Sequence, residues 1–210
     1  MATPTDVPLL IADSLGKEVA GEPLLDPVSF SVAAGECVAV TGPNGSGKTT
    51  LLRLILGRDT PTTGTLTYGG PLARRRNTHI GSALGAPPFY EDLTLEEHLT
   101  LLTVSWGGEA ATGRFAAVLE ALRLTRILHR FPSELSAGER QAAGITFALV
   151  QPASLLVLDE PEQGLDAERT HALGALLAGR RESGTAIVMA SHDAGLVAAT
   201  AGATVALADR

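Results

Sequence analysis

The sequence predicts an α/β fold built on a mainly parallel β-sheet. Short apolar runs typical of buried strands alternate with segments of helical apolar spacing, and a glycine-rich loop joins one such run to a helix. The 210 residues, 45% of them hydrophobic, suffice for one well-buried core. We therefore expect a single domain over residues 1–210.

The elements of the first half surround the glycine-rich loop. The run at 37–40 is continuously apolar, as expected of a strand covered on both faces of a parallel sheet. The segment after the loop has apolar residues at helical spacing. The elements predicted here are strands at 9–11, 28–32, 37–40 and 65–68 and a helix at 48–56.

The pattern changes near residue 94, where apolar residues such as Leu95, Leu99 and Leu102 recur three and four positions apart. This spacing indicates a helical insertion over approximately 94–150. The α/β alternation then resumes. The elements predicted there are helices at 139–150 and 167–177 and strands at 155–158, 186–190 and 204–207.

Composition excludes several classes of protein. The formal net charge of −7 gives no basic balance, so no nucleic-acid partner is expected. The single cysteine, Cys37, cannot form an internal disulfide, which fits a reducing compartment. Residues 1–8 lack the pattern of a signal peptide, and no apolar run approaches eighteen residues. We expect any membrane part to come from other polypeptides.

The glycine-rich loop fits the phosphate-loop pattern of one glycine, four free positions and Gly-Lys-Thr. Its glycines let backbone N–H groups surround a phosphate, and the helix start adds positive potential. Lys48 is expected to neutralise β- and γ-phosphate oxygens, Thr49 to bind Mg²⁺ and Thr50 to reach the α-phosphate. The alternative is a turn with an exposed lysine. The candidate nucleotide-binding residues are Gly42, Pro43, Asn44, Gly45, Ser46, Gly47, Lys48, Thr49 and Thr50.

A second polar pair follows the apolar strand at 155–158. Asp159 is placed to hold the metal beside Thr49, and Glu160 to polarise the attacking water as general base. Two carboxylates at a strand end are also common in solvated turns, but the phosphate loop favours the functional interpretation. This combination predicts a nucleoside triphosphatase that uses Mg²⁺.

The stretch Leu135-Ser136-Ala137-Gly138-Glu139 resembles the signature motif of ABC ATPases, and Ser136 and Glu139 also have the spacing of a helix capping box. Gly164-Leu165-Asp166 is similar to the D-loop of that family, and Ser191-His192-Asp193 to its switch-histidine segment. The resemblance spans nearly the whole chain. It implies that Ser136, Gly138 and Asp166 contact nucleotide, and that His192 acts with Lys48 and Glu160 in catalysis.

The resemblance implies a P-loop NTPase fold with an N-terminal antiparallel β portion and the helical insertion. It also implies a dimer in which two ATPase domains, identical or different, sandwich ATP between the phosphate loop of one and the signature of the other. Separate transmembrane subunits would bind this dimer at the inner face of the cell membrane, in the cytoplasm. The stretch 87–94 resembles that of small export-type subunits, which favours export over import.

The sequence departs from the family pattern at four positions. Val19 stands where an aromatic residue stacks on adenine, and Gly85 where a glutamine senses metal and γ-phosphate. Ala142 and Phe147 replace arginines. Gly85 and Val19 leave open a regulatory subunit that holds ATP without turnover, although intact Lys48, Asp159, Glu160 and His192 argue against it. A soluble ABC ATPase of translation or DNA repair is the other alternative, but the tandem domains or coiled-coil insertions usual there are missing. The transported substrate is not encoded in these residues.

Overall fold

The computed structural model describes residues 7–85, 87, 89–105 and 112–209, with the side chains of 75–78 and 112–114 excepted. Parts of three segments used above lie outside this description: residues 1–6 of the N-terminal stretch, residue 88 of the export-like stretch and residues 106–111 of the predicted insertion. Residue 86, beside Gly85, also lies outside it.

A five-stranded parallel sheet forms the centre of the fold, with the order β5-β6-β7-β3-β8. Its strands are mostly apolar and fully buried at the centre, as predicted for a sheet covered on both faces. The strands are β3 (Cys37–Thr41), β5 (Ile80–Ala83), β6 (Leu155–Asp159), β7 (Ala186–Ala190) and β8 (Ala203–Ala206).

The register of this sheet brings three strand ends to one level. Asp159 of β6 pairs with Ala190 of β7, and Ala190 pairs with Val40 of β3. Because the strands are parallel, the loops that follow them leave the sheet at the same edge. The phosphate loop, the Asp159-Glu160 pair and the segment of His192 therefore start as neighbours.

An antiparallel sheet of order β2-β1-β4 makes up the N-terminal part, consisting of β1 (Leu10–Val19), β2 (Glu22–Val32) and β4 (Thr63–Tyr68). The first two strands are longer than predicted. They form a hairpin whose two-residue turn, Ala20-Gly21, has positive φ angles of 54° and 84°. Ala-Gly is not a typical hairpin signal, so the sequence pattern alone did not reveal the turn.

Seven helices lie within the described residues. Two of them, α2 and α7, were not predicted, since the arginine-rich α2 has no apolar stripe and α7 is only seven residues long. No described helix is long and apolar enough to cross a membrane. The helices are α1 (Lys48–Ile55), α2 (Gly70–His79), α3 (Leu95–Ser105), α4 (Thr112–Ala121), α5 (Ala137–Leu149), α6 (Ala167–Glu182) and α7 (Ala194–Thr200).

The parallel sheet divides the core into two apolar clusters, one on each face. Leu156 and Leu158 point into the cluster with α5 and α6, whereas Leu155 and Val157 point into the cluster with α1. This alternation is the two-residue period of a strand. Cys37 packs in the first cluster, and burial raises the pKa of its thiol to about 11, so it stays protonated as a packing group.

Candidate functional site

The phosphate loop runs from the end of β3 to the first residue of α1, as the sequence predicts. Gly47 immediately precedes the helix with a φ angle of 97°, and a Cβ atom there would lie 2.5 Å from the carbonyl oxygen of Leu24. Only glycine satisfies both the left-handed backbone and this close approach. The start of β2 thus supports the loop from behind.

Two polar side chains of the loop are buried. Lys48 is 6% exposed, and its Nζ donates hydrogen bonds to the carbonyl oxygens of Gly42 (2.9 Å) and Pro43 (3.0 Å). Ser46 is 3% exposed, and its Oγ finds no hydrogen-bond partner among the described residues. A buried hydroxyl without a partner beside a buried ammonium group is unfavourable unless a ligand completes it. Phosphate oxygens fit this pair of groups.

Thr49 and Asp159 meet at the same edge of the sheet. The Thr49 hydroxyl donates a 2.8 Å hydrogen bond to Oδ2 of Asp159, across 110 residues of sequence. Burial raises the pKa of the Asp159 carboxyl, and the hydrogen bond from Thr49 opposes that rise. A hydroxyl and a carboxylate oxygen in contact are hard ligands of the kind Mg²⁺ prefers.

The described residues contain no cluster of three or more histidine, cysteine, aspartate or glutamate side chains that could hold a metal. Magnesium in nucleotide sites is typically bound by one or two protein oxygens, with phosphate and water completing the octahedron. Thr49 and Asp159 therefore fit a metal that arrives with a nucleotide better than a metal bound by protein alone.

Glu160 follows directly and is held in an unusual conformation. Its φ angle of 46° lies in the left-handed region, which costs about 1–3 kcal/mol for a residue other than glycine. Its backbone N–H donates to the carbonyl oxygen of Ala190 at 2.9 Å, which ties it to the end of β7. This conformation presents the carboxylate to two partners. His192 Nε2 lies 3.2 Å from Oε1, and Gln163 Nε2 donates to Oε2 at 3.3 Å.

The signature segment begins helix α5. Ser136 is its N-cap and forms the expected capping box: Ser136 Oγ accepts from the N–H of Glu139 at 3.3 Å, and Glu139 Oε2 accepts from the N–H of Ser136 at 2.7 Å. Gly138 lies against the backbone of Gly164, and Asp166 caps α6 through the N–H of Arg169. The signature and D-loop segments are thus packed together.

A cleft of about 580 Å³ joins several predicted site residues. Thr49, Asp159 and Glu160 line one side, and Ala137 at the signature and Gly164 at the D-loop also line it. Within the described part of the chain, no hydrogen bond joins Ser136 to the phosphate loop. A single copy therefore brings the phosphate loop, Asp159 and Glu160 together, while the Ser136 side chain caps its own helix.

The four departures from the family pattern have distinct surroundings. Gly85 has a φ angle of 67°, so its backbone is one that glutamine rarely adopts, and it lines the 580 Å³ cleft. Val19 is 51% exposed at the end of β1. Ala142 is fully buried, and Phe147 is buried and stacks on His98 with ring centroids 5.8 Å apart. An arginine at either of the last two positions would bury its charge in this packing.

Three polar residues at the site were missed by the sequence analysis. Gln163 contacts the Glu160 carboxylate, Gln141 Nε2 donates to the backbone oxygen of Glu160 at 3.4 Å, and Glu162 binds the segment of His192. Their closeness to Glu160 in the sequence could have indicated Glu162 and Gln163. No sequence feature indicated Gln141, because its partner Glu160 is 19 residues away.

The comparisons with known proteins agree with this arrangement. A family model described as ABC transporter matches residues 25–163, and a model for an AAA domain matches 130–198. A Nod factor export ATP-binding protein I of Rhizobium meliloti is 33% identical over 197 residues, which are 90% of this chain and 59% of the relative. The chain thus spans about three fifths of the length of that relative.

Solved structures agree as well. The ATP-binding subunit of an ABC transporter superposes with a TM-score of 0.84 at 32% identity, covering 95% of this chain and 85% of the other. A bacterial ABC transporter cassette, solved as a dimer, gives 0.79 at 25% identity over 95% and 94% of the two chains. The same cassette in a post-hydrolysis state bound to ADP and Pi gives 0.75 at 25% identity over 91% of both chains.

Proposed function

The chain belongs to the ABC transporter family, and we propose that it is the ATP-binding and ATP-hydrolysing subunit of a transporter whose membrane part is formed by separate polypeptides. The observation that carries the proposal is the meeting of three strand ends. The Thr49–Asp159 hydrogen bond of 2.8 Å and the Glu160–His192 contact of 3.2 Å lie side by side there, next to the phosphate loop.

The phosphate loop supplies the nucleotide site in this proposal. Lys48 releases its two carbonyl partners and turns to the β- and γ-phosphates, Ser46 Oγ gains a phosphate oxygen, and Thr50 reaches the α-phosphate. Thr49 and Asp159 would hold Mg²⁺, which would supply neutralisation of phosphate charge. The remaining loop residues, Gly42, Pro43, Asn44, Gly45 and Gly47, contribute backbone groups.

Glu160 is the group that acts on water. Its carboxylate accepts a proton from the water that attacks the γ-phosphorus. The bond from that phosphorus to the β–γ bridging oxygen breaks, and ADP leaves with the electron pair. His192 contacts the γ-phosphate and keeps the carboxylate in place. A positioned general base contributes about 10²- to 10⁴-fold to a rate. The backbone strain at Glu160 supports this role, because such conformations cluster at functional sites.

The proposal includes a second ATPase subunit. The dimeric cassette among the structural neighbours supports a dimer for this chain. Ser136 and Gly138 would face the ATP held by the phosphate loop of the other subunit, with the positive end of α5 aimed at the γ-phosphate. Asp166 would lie at the same interface. The single-domain organisation with an insertion near 94–150 stays a prediction.

Export is the direction that we propose, supported by the exporter relative and by the export-like stretch at 87–94. The chain would work on the cytoplasmic side, peripheral on the inner face of the cell membrane. A regulatory subunit that binds ATP without turnover is the second candidate, because Gly85 offers no side-chain amide to the cleft. The two candidates differ in one measurable quantity, the turnover number.

The test measures ATP hydrolysis by the purified chain across a range of protein concentrations, together with nucleotide affinity. We expect turnover per subunit to rise with concentration, as dimerisation requires, and to fall by about 10²-fold or more in Glu160→Gln with ATP binding retained. Glu182→Gln, an exposed glutamate at the end of α6, is the matched control. Binding without turnover in the wild type would favour the regulatory candidate, and turnover that survives Glu160→Gln would refute the role of Glu160.

A further inference from the structure

Glu162 lies two residues after Glu160 and has no role in the reaction proposed above. Its Oε1 accepts three hydrogen bonds from consecutive residues after β7: from Ser191 Oγ at 2.7 Å, from the His192 N–H at 2.9 Å and from the Asp193 N–H at 3.2 Å. One carboxylate oxygen thus binds the whole segment between β7 and α7.

Two other hydrogen bonds hold this segment: the Ser191 N–H donates to the Val40 carbonyl oxygen at 3.4 Å, and the Asp193 N–H also donates to Ser191 Oγ at 3.1 Å. The strand ladder of β7 ends at Ala190, and Asp193 already belongs to α7 as its N-cap, with Oδ1 accepting from the Leu196 N–H at 2.7 Å. The N–H groups of His192 and Asp193 therefore lie between two regular elements. A carboxylate supplies strong charge-assisted hydrogen bonds to such donors.

Stability alone is a poor explanation for a carboxylate at this position. Its other oxygen, Oε2, is buried and has no partner among the described residues. A buried carboxylate oxygen without a partner is unfavourable for stability. Such exceptions call for a functional explanation.

The segment held by Glu162 carries the histidine that faces the base. His192 Nε2 lies 3.2 Å from Oε1 of Glu160, and both side chains are partly exposed, so packing contributes little to their relative position. The strand ends have a separate connection, the hydrogen bond from the Glu160 N–H to the Ala190 oxygen. Loss of the Glu162 carboxylate would therefore release His192 while β6 and β7 stay joined.

We propose that Glu162 is a positioning residue, which fixes the segment 191–193 and through it sets His192 against Glu160 in the hydrolysis reaction. This inference rests on the proposed ATPase function. Glu162 itself touches neither nucleotide nor water in this account. Its effect on turnover passes through His192, and this dependence separates it from a general effect on folding.

A double-mutant cycle tests that dependence. Steady-state hydrolysis is measured for Glu162→Ala, His192→Ala, the double variant and Glu162→Gln. We expect Glu162→Ala to lower kcat by about tenfold or more with KM within about twofold, because a misplaced group costs rate more than binding. The amide oxygen in Glu162→Gln still accepts, so kcat should return to within about threefold of wild type. The double variant should match His192→Ala alone.

The matched control is Glu168→Ala. Glu168 follows Glu162 closely in the sequence, but its side chain pairs with Arg123 on the surface. Its kcat should equal that of the wild type. The proposal is overturned if the losses of Glu162→Ala and His192→Ala multiply in the double variant. It is equally overturned if Glu162→Ala raises KM at unchanged kcat.

A second measurement does not depend on turnover. Amide hydrogen exchange of the full chain reports the protection of the His192 and Asp193 N–H groups, which Glu162 accepts from. Glu162→Ala should speed exchange at the His192 amide by about tenfold or more, and by less at the Asp193 amide, whose N–H also donates to Ser191 Oγ. Glu168→Ala should leave both amides unchanged. If the wild type failed to hydrolyse ATP, the proposed function would fail, but faster exchange would still establish that Glu162 holds this segment. Unchanged exchange in Glu162→Ala would refute the inference itself.

Discussion

Gly138 contacts Gly164, so the substitution Gly138→Ala tests how the signature and D-loop segments pack against each other. Gly138 is the second residue of α5, and its position gives no steric freedom: a Cβ there would lie 2.4 Å from the carbonyl oxygen of Gly164. That is about 1 Å short of the 3.4 Å at which ordinary contact begins. The obstacle is backbone, so Gly138→Ala must displace either the start of α5 or the loop before α6.

Two opposing effects set the expected magnitude. Alanine in a helix is favoured over glycine by up to about 1 kcal/mol. Overpacking in a tight contact costs about 1–3 kcal/mol. We therefore expect Gly138→Ala to lower the free energy of unfolding by about 1 kcal/mol. We also expect it to lower turnover, because Gly164 belongs to the loop that joins Glu160 to the Asp166 cap of α6.

Gly179 provides the matched control, since it lies inside α6 with nothing within 4 Å of an added Cβ. Gly179→Ala should raise the free energy of unfolding by about 0.5–1 kcal/mol through helix propensity alone. Urea denaturation with linear extrapolation measures both variants, provided that the m-value stays constant. Equal stability of Gly138→Ala and Gly179→Ala would contradict this expectation, because the backbone contact would then carry no cost.

Two further predictions concern Asp159, at the proposed metal site, and Val19, at the expected position of adenine. Burial raises the pKa of Asp159, so folding favours its protonated form. The contribution of Asp159 to the free energy of unfolding is therefore fully present below the ordinary pKa of 3.8, and it is lost as the pH rises through the folded-state pKa. Without divalent cations, Asp159→Asn should therefore be more stable than wild type at pH 7. The difference in urea midpoint between Asp159→Asn and wild type should shrink as the pH is lowered towards 4. A difference that increases on acidification would contradict this prediction. Val19→Tyr should tighten ATP binding about fivefold by stacking on adenine. Fluorescence titration should show no change in affinity for the control Val104→Tyr, at a valine of α3 that is 73% exposed, against 51% for Val19.

The parallel sheet could be predicted because its central strands are continuous apolar runs, which indicate burial on both faces. The strand at 186–190 has the predicted bounds, since a run of five buried apolar residues leaves little choice. Strand β5 escaped prediction because Ile80–Ala83 contains glycine and serine, and only its pairing with β6 makes it a strand. Helix α6 extends five residues beyond the predicted end at 177, where arginines continue the helix without apolar spacing.

The candidate site could be predicted as far as it depends on strand ends. Asp159 was expected to hold a metal beside Thr49, and the structure places Thr49 Oγ1 2.8 Å from Asp159 Oδ2. The two residues meet because loops after parallel strands leave the sheet at the same edge. The contacts of Glu162 could not be predicted, since they join residues about thirty positions apart through backbone N–H groups that no side-chain pattern encodes. A pattern can indicate which groups do chemistry, but the groups that hold them emerge only from tertiary structure.

The surroundings of Glu160 bear on the missing glutamine at position 85. Three side chains hold Glu160, and none of them belongs to the loop after β5. His192 follows β7, Gln163 lies in the same loop as Glu160, and Gln141 reaches the Glu160 backbone from α5. The loop after β5 gives the same cleft Gly85, in a backbone conformation that disfavours a longer residue. The Glu160 carboxylate is therefore oriented without that loop. Gly85 leaves these contacts of Glu160 intact, so we expect its effect on communication with the proposed partner subunits before any effect on hydrolysis.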